Sequence, residues 1–98
     1  MSNYLHDSLI DRVEAELLRR GYDDIHREYE YDKGEVDLFA IRDNYVLLFE
    51  MKSVDNSKAR RKAYEQLNRA DRYLFRNKRV FKFYVSNVSN CNIKWYRK

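Results

Sequence analysis

The sequence predicts an α+β domain of element order αβββαββ, a mixed sheet flanked by two helices. Three observations lead there. Leu5, Leu9, Val13 and Leu17 recur every four residues, the repeat of one helix face. Two strongly apolar runs, residues 36–41 and 45–52, are parted by little more than Asp43-Asn44, a two-residue hairpin signal. A second helical stripe, Ala59, Ala63, Leu67, Ala70 and Leu74, follows the hairpin and precedes another strand-like run. A chain of 98 residues is too short to bury two cores, so residues 1–98 are read as one domain.

In chain order, Ile10 and Leu18 widen the first stripe into an amphipathic helix over about residues 3–20, with Gly21 as its C-terminal cap. Residues 25–31 alternate, Tyr29 and Tyr31 against Glu28 and Glu30, and read as a strand before a turn at Asp32-Lys33-Gly34. The two hairpin strands come next. Ser57 is the expected cap of the second helix, which runs to about Phe75. After the basic turn Arg76-Asn77-Lys78-Arg79, residues 80–85 form a strand and residues 93–97 a last one. The second helix joins the third and fourth strands as a crossover, so those two are expected to run parallel. Proline is absent, and the only glycines, Gly21 and Gly34, mark breaks between elements.

Composition narrows the function classes. Hydrophobic residues make up 44% of the chain and charged residues 37%, apolar enough to fold. No apolar run approaches the roughly 18–20 residues that span a bilayer. The segment MSNYLHDSLIDR lacks the basic-then-apolar layout of a signal peptide. A soluble, intracellular protein of the cytoplasm is expected, with no membrane partner. The single Cys91 cannot form an internal disulfide or supply a zinc site alone, and is expected as a small core residue. The net charge of +4 hides a split: residues 1–50 carry −7 and residues 51–98 carry +11. A basic half points to a polyanionic partner, nucleic acid being the usual one, or to a surface charged for solubility.

The hairpin carries the chemistry. With Asp43-Asn44 as its loop, Ala40 faces Leu47 and Leu38 faces Phe49, and the same register sets Asp37 opposite Glu50 and Glu35 opposite Lys52. Opposed residues share a side of the sheet, which places all four side chains on one face, provided the loop has two residues. Two carboxylates side by side among Leu, Phe, Val and Met destabilise a sheet unless a cation shares them. Mg²⁺ suits, because it binds through one or two carboxylates and keeps positions for water and phosphate; Mn²⁺ is the alternative. Lys52 would then stand near a scissile phosphate, to orient a nucleophile, help deprotonate it or neutralise developing charge. The plainer reading is a Glu50-x-Lys52 triplet that merely ends a strand at solvent.

The run Gly34-Glu35-Val36-Asp37-Leu38, followed after twelve residues by Glu50-Met51-Lys52-Ser53, resembles the PD-(D/E)xK nucleases, most of all the archaeal Holliday-junction resolvases and compact relatives. The resemblance spans about residues 3–85 and implies a restriction-endonuclease-like core. It implies that Asp37 and Glu50 bind the metal, with help from the Met51 carbonyl, that Lys52 is the catalytic lysine, and that products carry 5′-phosphates. The family places a further acidic residue on the first helix. Counting back from the glycine lands on Ile10, so Glu14, one turn on, is the candidate, with Asp7 and Asp11 as alternatives. Glu16, inside the apolar stripe, calls for an explanation of its own. Many members carry a glutamine on the second helix that steadies the site or the DNA backbone, a role that Gln66, the only glutamine, fits.

Gln66 lies on a polar stripe with Lys62, Arg69 and Tyr73. Lys58, Arg60, Arg61 and Lys62 crowd the start of that helix against the macrodipole, which suits phosphate contacts better than helix stability. His6 and His26 are read as incidental; the nine tyrosines could stack on bases, but most lie at core-compatible spacings and none is assigned a role. The expected function is a Mg²⁺-dependent endodeoxyribonuclease, with a homodimeric resolvase of branched DNA as the first guess because a two-fold dimer offers paired sites to two strands. The rival from another class is a non-catalytic nucleic-acid-binding module that uses the basic half; a third is a partner-binding domain.

Overall fold

The computed structural model describes the backbone of residues 4–87 and 93–97 and the side chains of residues 6–86. The expectations for Leu5 and Cys91 lie outside the described side chains. The elements are α1 (Tyr4–Arg19), β1 (Asp24–Tyr31), β2 (Gly34–Arg42), β3 (Tyr45–Lys52), α2 (Ser57–Leu74), β4 (Arg79–Asn87) and β5 (Ile93–Arg97). This is the expected α+β order αβββαββ. The five strands lie in chain order in one sheet, and every pair is antiparallel except β3 and β4. That parallel pair is the one that α2 bridges, as a crossover requires. No helix among the described residues is long and apolar enough to cross a membrane.

The sheet carries an apolar layer on each face. Leu9, Ile10, Val13 and Leu17 of α1 pack on Leu38, Ala40, Phe49, Met51 and Val85. On the other face Leu67 and Ala70 of α2 pack with Val36, Phe39, Val46, Leu48 and Phe75. Alternation along β3 explains the division, since Leu48 and Phe49 are both wholly buried yet face opposite helices. Each such side chain contributes about 1.5–3 kcal/mol of transfer free energy.

The ends of α1 and α2 are fastened differently. Tyr22 N–H donates to Leu17 O and Gly21 N–H to Leu18 O, both at 3.0 Å, with Gly21 at φ +89°. This pair of hydrogen bonds around a left-handed residue closes the helix, as the glycine predicts. The α2 cap is Asn56, one residue before the expected Ser57: its side chain accepts from Ala59 N–H at 2.8 Å. Both residue types cap well, and the helix uses the one whose extended backbone (φ −148°, ψ 170°) lets the side chain reach back. Glu16, out of place in an apolar stripe, is held at its edge by Arg20 Nε at 2.7 Å and by Arg19.

Candidate functional site

The β2–β3 hairpin has the expected register. Arg42 pairs with Tyr45, Ala40 with Leu47 and Leu38 with Phe49, while Asp43 takes φ +54° in the turn. The ladder then stops at Leu38↔Phe49, although both strands continue. The β1–β2 ladder likewise passes from Arg27↔Leu38 to Tyr29↔Val36, with Glu28 at φ +51° opposite the gap. Asp37 sits at this interruption. Val36 packs on the α2 side with Phe39, three residues on, so alternation slips by one at Asp37.

The slip turns the acidic side chain onto a neighbouring backbone. Met51 N–H donates to Asp37 Oδ2 at 2.9 Å, and Asp37 N–H points at Glu50 Oε1 at 3.4 Å. Asp37 and Glu50 are therefore together, as the register implies, and both are buried, at 7% and 2% exposure. Glu35 is not opposite Lys52. It pairs with Glu30 of β1 and lies exposed, because β2 has left the β3 ladder by that point. The expected single face of four charged side chains is thus reduced to a buried carboxylate pair with Lys52 at the strand end.

The electrostatics of the pair are asymmetric. Burial pushes Glu50 well above the ordinary carboxylate range, and the negative charge of Asp37 pushes the same way while Lys52 opposes. Burial also acts to raise Asp37, but hydrogen bonds from His6, Glu50 and Met51 N–H outweigh it and hold Asp37 below its usual value. The two carboxyls are therefore pushed in opposite directions, and as pH rises Asp37 gives up its proton before Glu50.

His6 is the residue that sequence reasoning missed. Its Nε2 lies 3.0 Å from Asp37 Oδ2, and the hydrogen bond to Asp37 raises its pKa against the opposing effect of burial. The signal was present: His6 stands three, four and seven residues before Leu9, Ile10 and Val13, and so continues the buried face of α1. Glu14 and Asp11, by contrast, both bind Arg27 Nη1 of β1 at 2.8 Å. Asp7 lies 4.0 Å from His6. The α1 group in contact with Asp37 is thus an imidazole, and Glu14 is engaged elsewhere.

Lys52 is half-buried beyond Glu50 and feels both Glu50 and His6. The loop after it is pinned by the wholly buried Tyr84, whose hydroxyl donates to Val54 O at 2.7 Å. Met51 sends its side chain into the α1 core. Gln66 lies beside the buried Ala63, Leu67 and Ala70, and its Oε1 is buried with no hydrogen-bond partner among the described residues. An uncompensated buried acceptor costs about 1–3 kcal/mol. At the start of α2, Lys58, Arg61 and Lys62 are exposed, while Arg60 is held by Asp55 at 3.0 Å.

Among the described residues no three or more His, Cys, Asp or Glu side chains are grouped for metal binding. The site offers instead two buried carboxyl groups, Asp37 and Glu50, whose proton affinities are pushed apart. Asp37 and Glu50 are the residues that would hold a divalent cation, since Mg²⁺ binds through one or two carboxylates and keeps several waters. Neither the protein-family models nor the curated proteins compared with this chain give a match.

Proposed function

We propose that this protein is a divalent-cation-dependent endonuclease of the PD-(D/E)xK type that hydrolyses DNA phosphodiester bonds. The observation that carries this reading is the buried Asp37–Glu50 pair at the interrupted end of the hairpin, with Lys52 two residues beyond Glu50. An acid pair so placed is unfavourable for the fold, and repelling buried charges collect where chemistry needs them. Asp37 and Glu50 would hold Mg²⁺ or Mn²⁺, with the Met51 carbonyl beside them, and the cation would supply charge neutralisation at the phosphate and a more acidic water.

The chain's own groups have separate tasks. Met51 N–H and His6 fix the Asp37 carboxylate in one orientation. Lys52 brings a positive charge to the same end of β3, where it stabilises the charge that develops on the phosphate oxygens. Water adds to phosphorus and the bond to the 3′-oxygen breaks, leaving 5′-phosphate and 3′-hydroxyl ends. Lys58, Arg60, Arg61, Lys62 and Arg69 of α2 grip the backbone, and Gln66 steadies it. A homodimer acting on branched DNA is the narrower form of the proposal.

The test is cleavage of labelled four-way junctions, flaps and linear duplexes in Mg²⁺, Mn²⁺ and EDTA, beside Glu50→Ala. Metal-dependent cuts that vanish in the variant support the proposal, and the preferred substrate names the role. Tight, salt-sensitive binding with no cut on any substrate refutes it in favour of the non-catalytic binding module, which the charge split of the two halves supports.

A further inference from the structure

A groove of about 390 Å³ opens between the C-terminal half of α2 and the β1–β2 turn, lined by Lys33, Glu65, Arg69, Arg72 and Tyr73. Three cations face one carboxylate there, and they come from two elements. Arg69, Arg72 and Tyr73 lie three and four residues apart and share a helix face. Lys33 comes from the turn, which Arg69 ties to the helix by donating from Nη1 to Lys33 O at 3.4 Å. Lys33 Nζ stands 5.5 Å from the centroid of the Tyr73 ring, which brings the turn lysine over the helix tyrosine.

Tyr73 is 50% exposed, on a helix whose buried positions are Ala59, Ala63, Leu67 and Ala70. The α2 core thus does without this ring. A second hollow shares Lys33 and Tyr73 and continues past Tyr29, Glu30, Tyr31 and Asp32, so the two arginines are confined to the α2 side. Arg69 also brings the groove close to the strand of the carboxylate site: its Nη1 lies 3.7 Å from where a Cβ on Gly34 would stand, and Gly34 opens β2, which carries Asp37 three residues on.

Resting on the nuclease reading above, we propose that this groove guides an unpaired nucleic-acid strand to the carboxylate pair, with phosphates on Lys33, Arg69 and Arg72 and a base stacked on Tyr73. An exposed ring among cations matches a base whose face is free, and a duplex keeps its base faces stacked on one another. Guanidinium groups suit the phosphates because their forked donors bind two oxygens at once. The substrate class is therefore a strand with an unpaired segment at the cut, such as a flap or a splayed arm, rather than a continuous duplex.

The experiment is fluorescence anisotropy in EDTA, where no cleavage occurs. The probes are labelled oligothymidylate, oligouridylate, an abasic strand of equal length and a blunt duplex. The wild-type chain is expected to bind oligothymidylate about 5- to 150-fold more tightly than the abasic strand, the factor that one stacked base supplies. Tyr73→Ala should erase that preference and Tyr73→Phe should keep it. Joint Arg69→Ala and Arg72→Ala should weaken binding to the natural and abasic strands alike and lower the salt slope by about 1.4. Tyr73-dependent binding of either natural strand supports the groove, and the tighter of the two names the sugar.

Equal affinity for natural and abasic strands overturns the proposal. So does Tyr73→Ala matching the wild type, or tighter binding of the blunt duplex than of the single strand. The pair of variants at Tyr73 guards against misfolding, since melting curves are expected to coincide at a half-exposed position. Cleavage without Tyr73-dependent binding would sink the groove and leave the nuclease; Tyr73-dependent binding without cleavage would do the reverse.

Discussion

Replacing Glu50 with Gln is the sharpest test of the carboxylate pair, because it keeps the shape and removes the charge for good. Two like charges about 4 Å apart repel by about 4 kcal/mol at an effective dielectric constant near 20. In the cation-free protein burial, and then this repulsion, raise the pKa of Glu50, so the second charge forms only at higher pH. The folded state then binds one more proton than the unfolded chain, so stability is full below the ordinary value of 4.5 and declines as pH rises through the raised folded value. Glu50→Gln cannot titrate. In EDTA on the alkaline side it should be more stable than wild type by about 1–2 kcal/mol, a part of the repulsion above after local relaxation. For a domain of this size that is a gain of about 4–16 °C in melting temperature.

Addition of Mg²⁺ should reverse the order. A ligand at one hundred times its dissociation constant stabilises the folded state by about 2.7 kcal/mol, and Glu50→Gln should lose most of that increment. The assay is thermal melting followed by far-ultraviolet circular dichroism, with wild type and variant across roughly pH 5 to 9 in EDTA and in Mg²⁺. Parallel pH profiles, together with equal Mg²⁺ shifts in the two proteins, would refute both the shared-charge account and the cation site.

Other expectations are checked with similar means. Lys52→Ala should slow cleavage by about 10²–10³-fold, the loss seen when one stabilising donor is removed, with a melt close to wild type. His6→Ala should destabilise most where His6 is charged and Asp37 ionised. Asp37, depressed, contributes above its ordinary 3.8 and loses its contribution as pH falls through the folded value; His6, raised, contributes below its ordinary 6.5 and loses its contribution as pH rises through the folded value. A variant penalty that does not change with pH would refute the ion pair. Leu67→Ala, at a wholly buried site beneath α2, should cost about 2–5 kcal/mol in urea unfolding. Asn56→Ala should cost about 1 kcal/mol through the lost α2 cap, and Ser57→Ala distinctly less.

Periodicity and turn chemistry carry most of the fold into the sequence. Leu9, Val13 and Leu17 announce α1, Gly21 its end, and Asp43-Asn44 the hairpin register, because each answers to contacts within a few residues. The parallel pairing of β3 with β4 was legible from the helical stripe between them. What local patterns could not carry was the slip at Asp37. It arises where β1, β2 and β3 meet, and it leaves Glu35 facing β1 instead of Lys52. His6 was lost for a related reason: its partner is 31 residues away, and only packing of α1 on the sheet brings the two together. Glu14 was favoured by helix position alone, which says nothing of Arg27 on the neighbouring strand.

The topology also sets an order of assembly. The β2–β3 hairpin closes through Asp43 and Asn44, so Leu38 meets Phe49 at small cost in loop entropy. The β3–β4 pairing has to wait for residues 53–78 to wind into α2 and return. Asp37 and Glu50 are therefore neighbours in a hairpin that still lacks its helix and its fourth strand, and water screens them at that stage. Their repulsion grows as the layers close, so deprotonating Glu50 should hasten unfolding more than it slows folding. The protein carries a brake on its own stability at the point where its last contacts form, and a bound cation would release it.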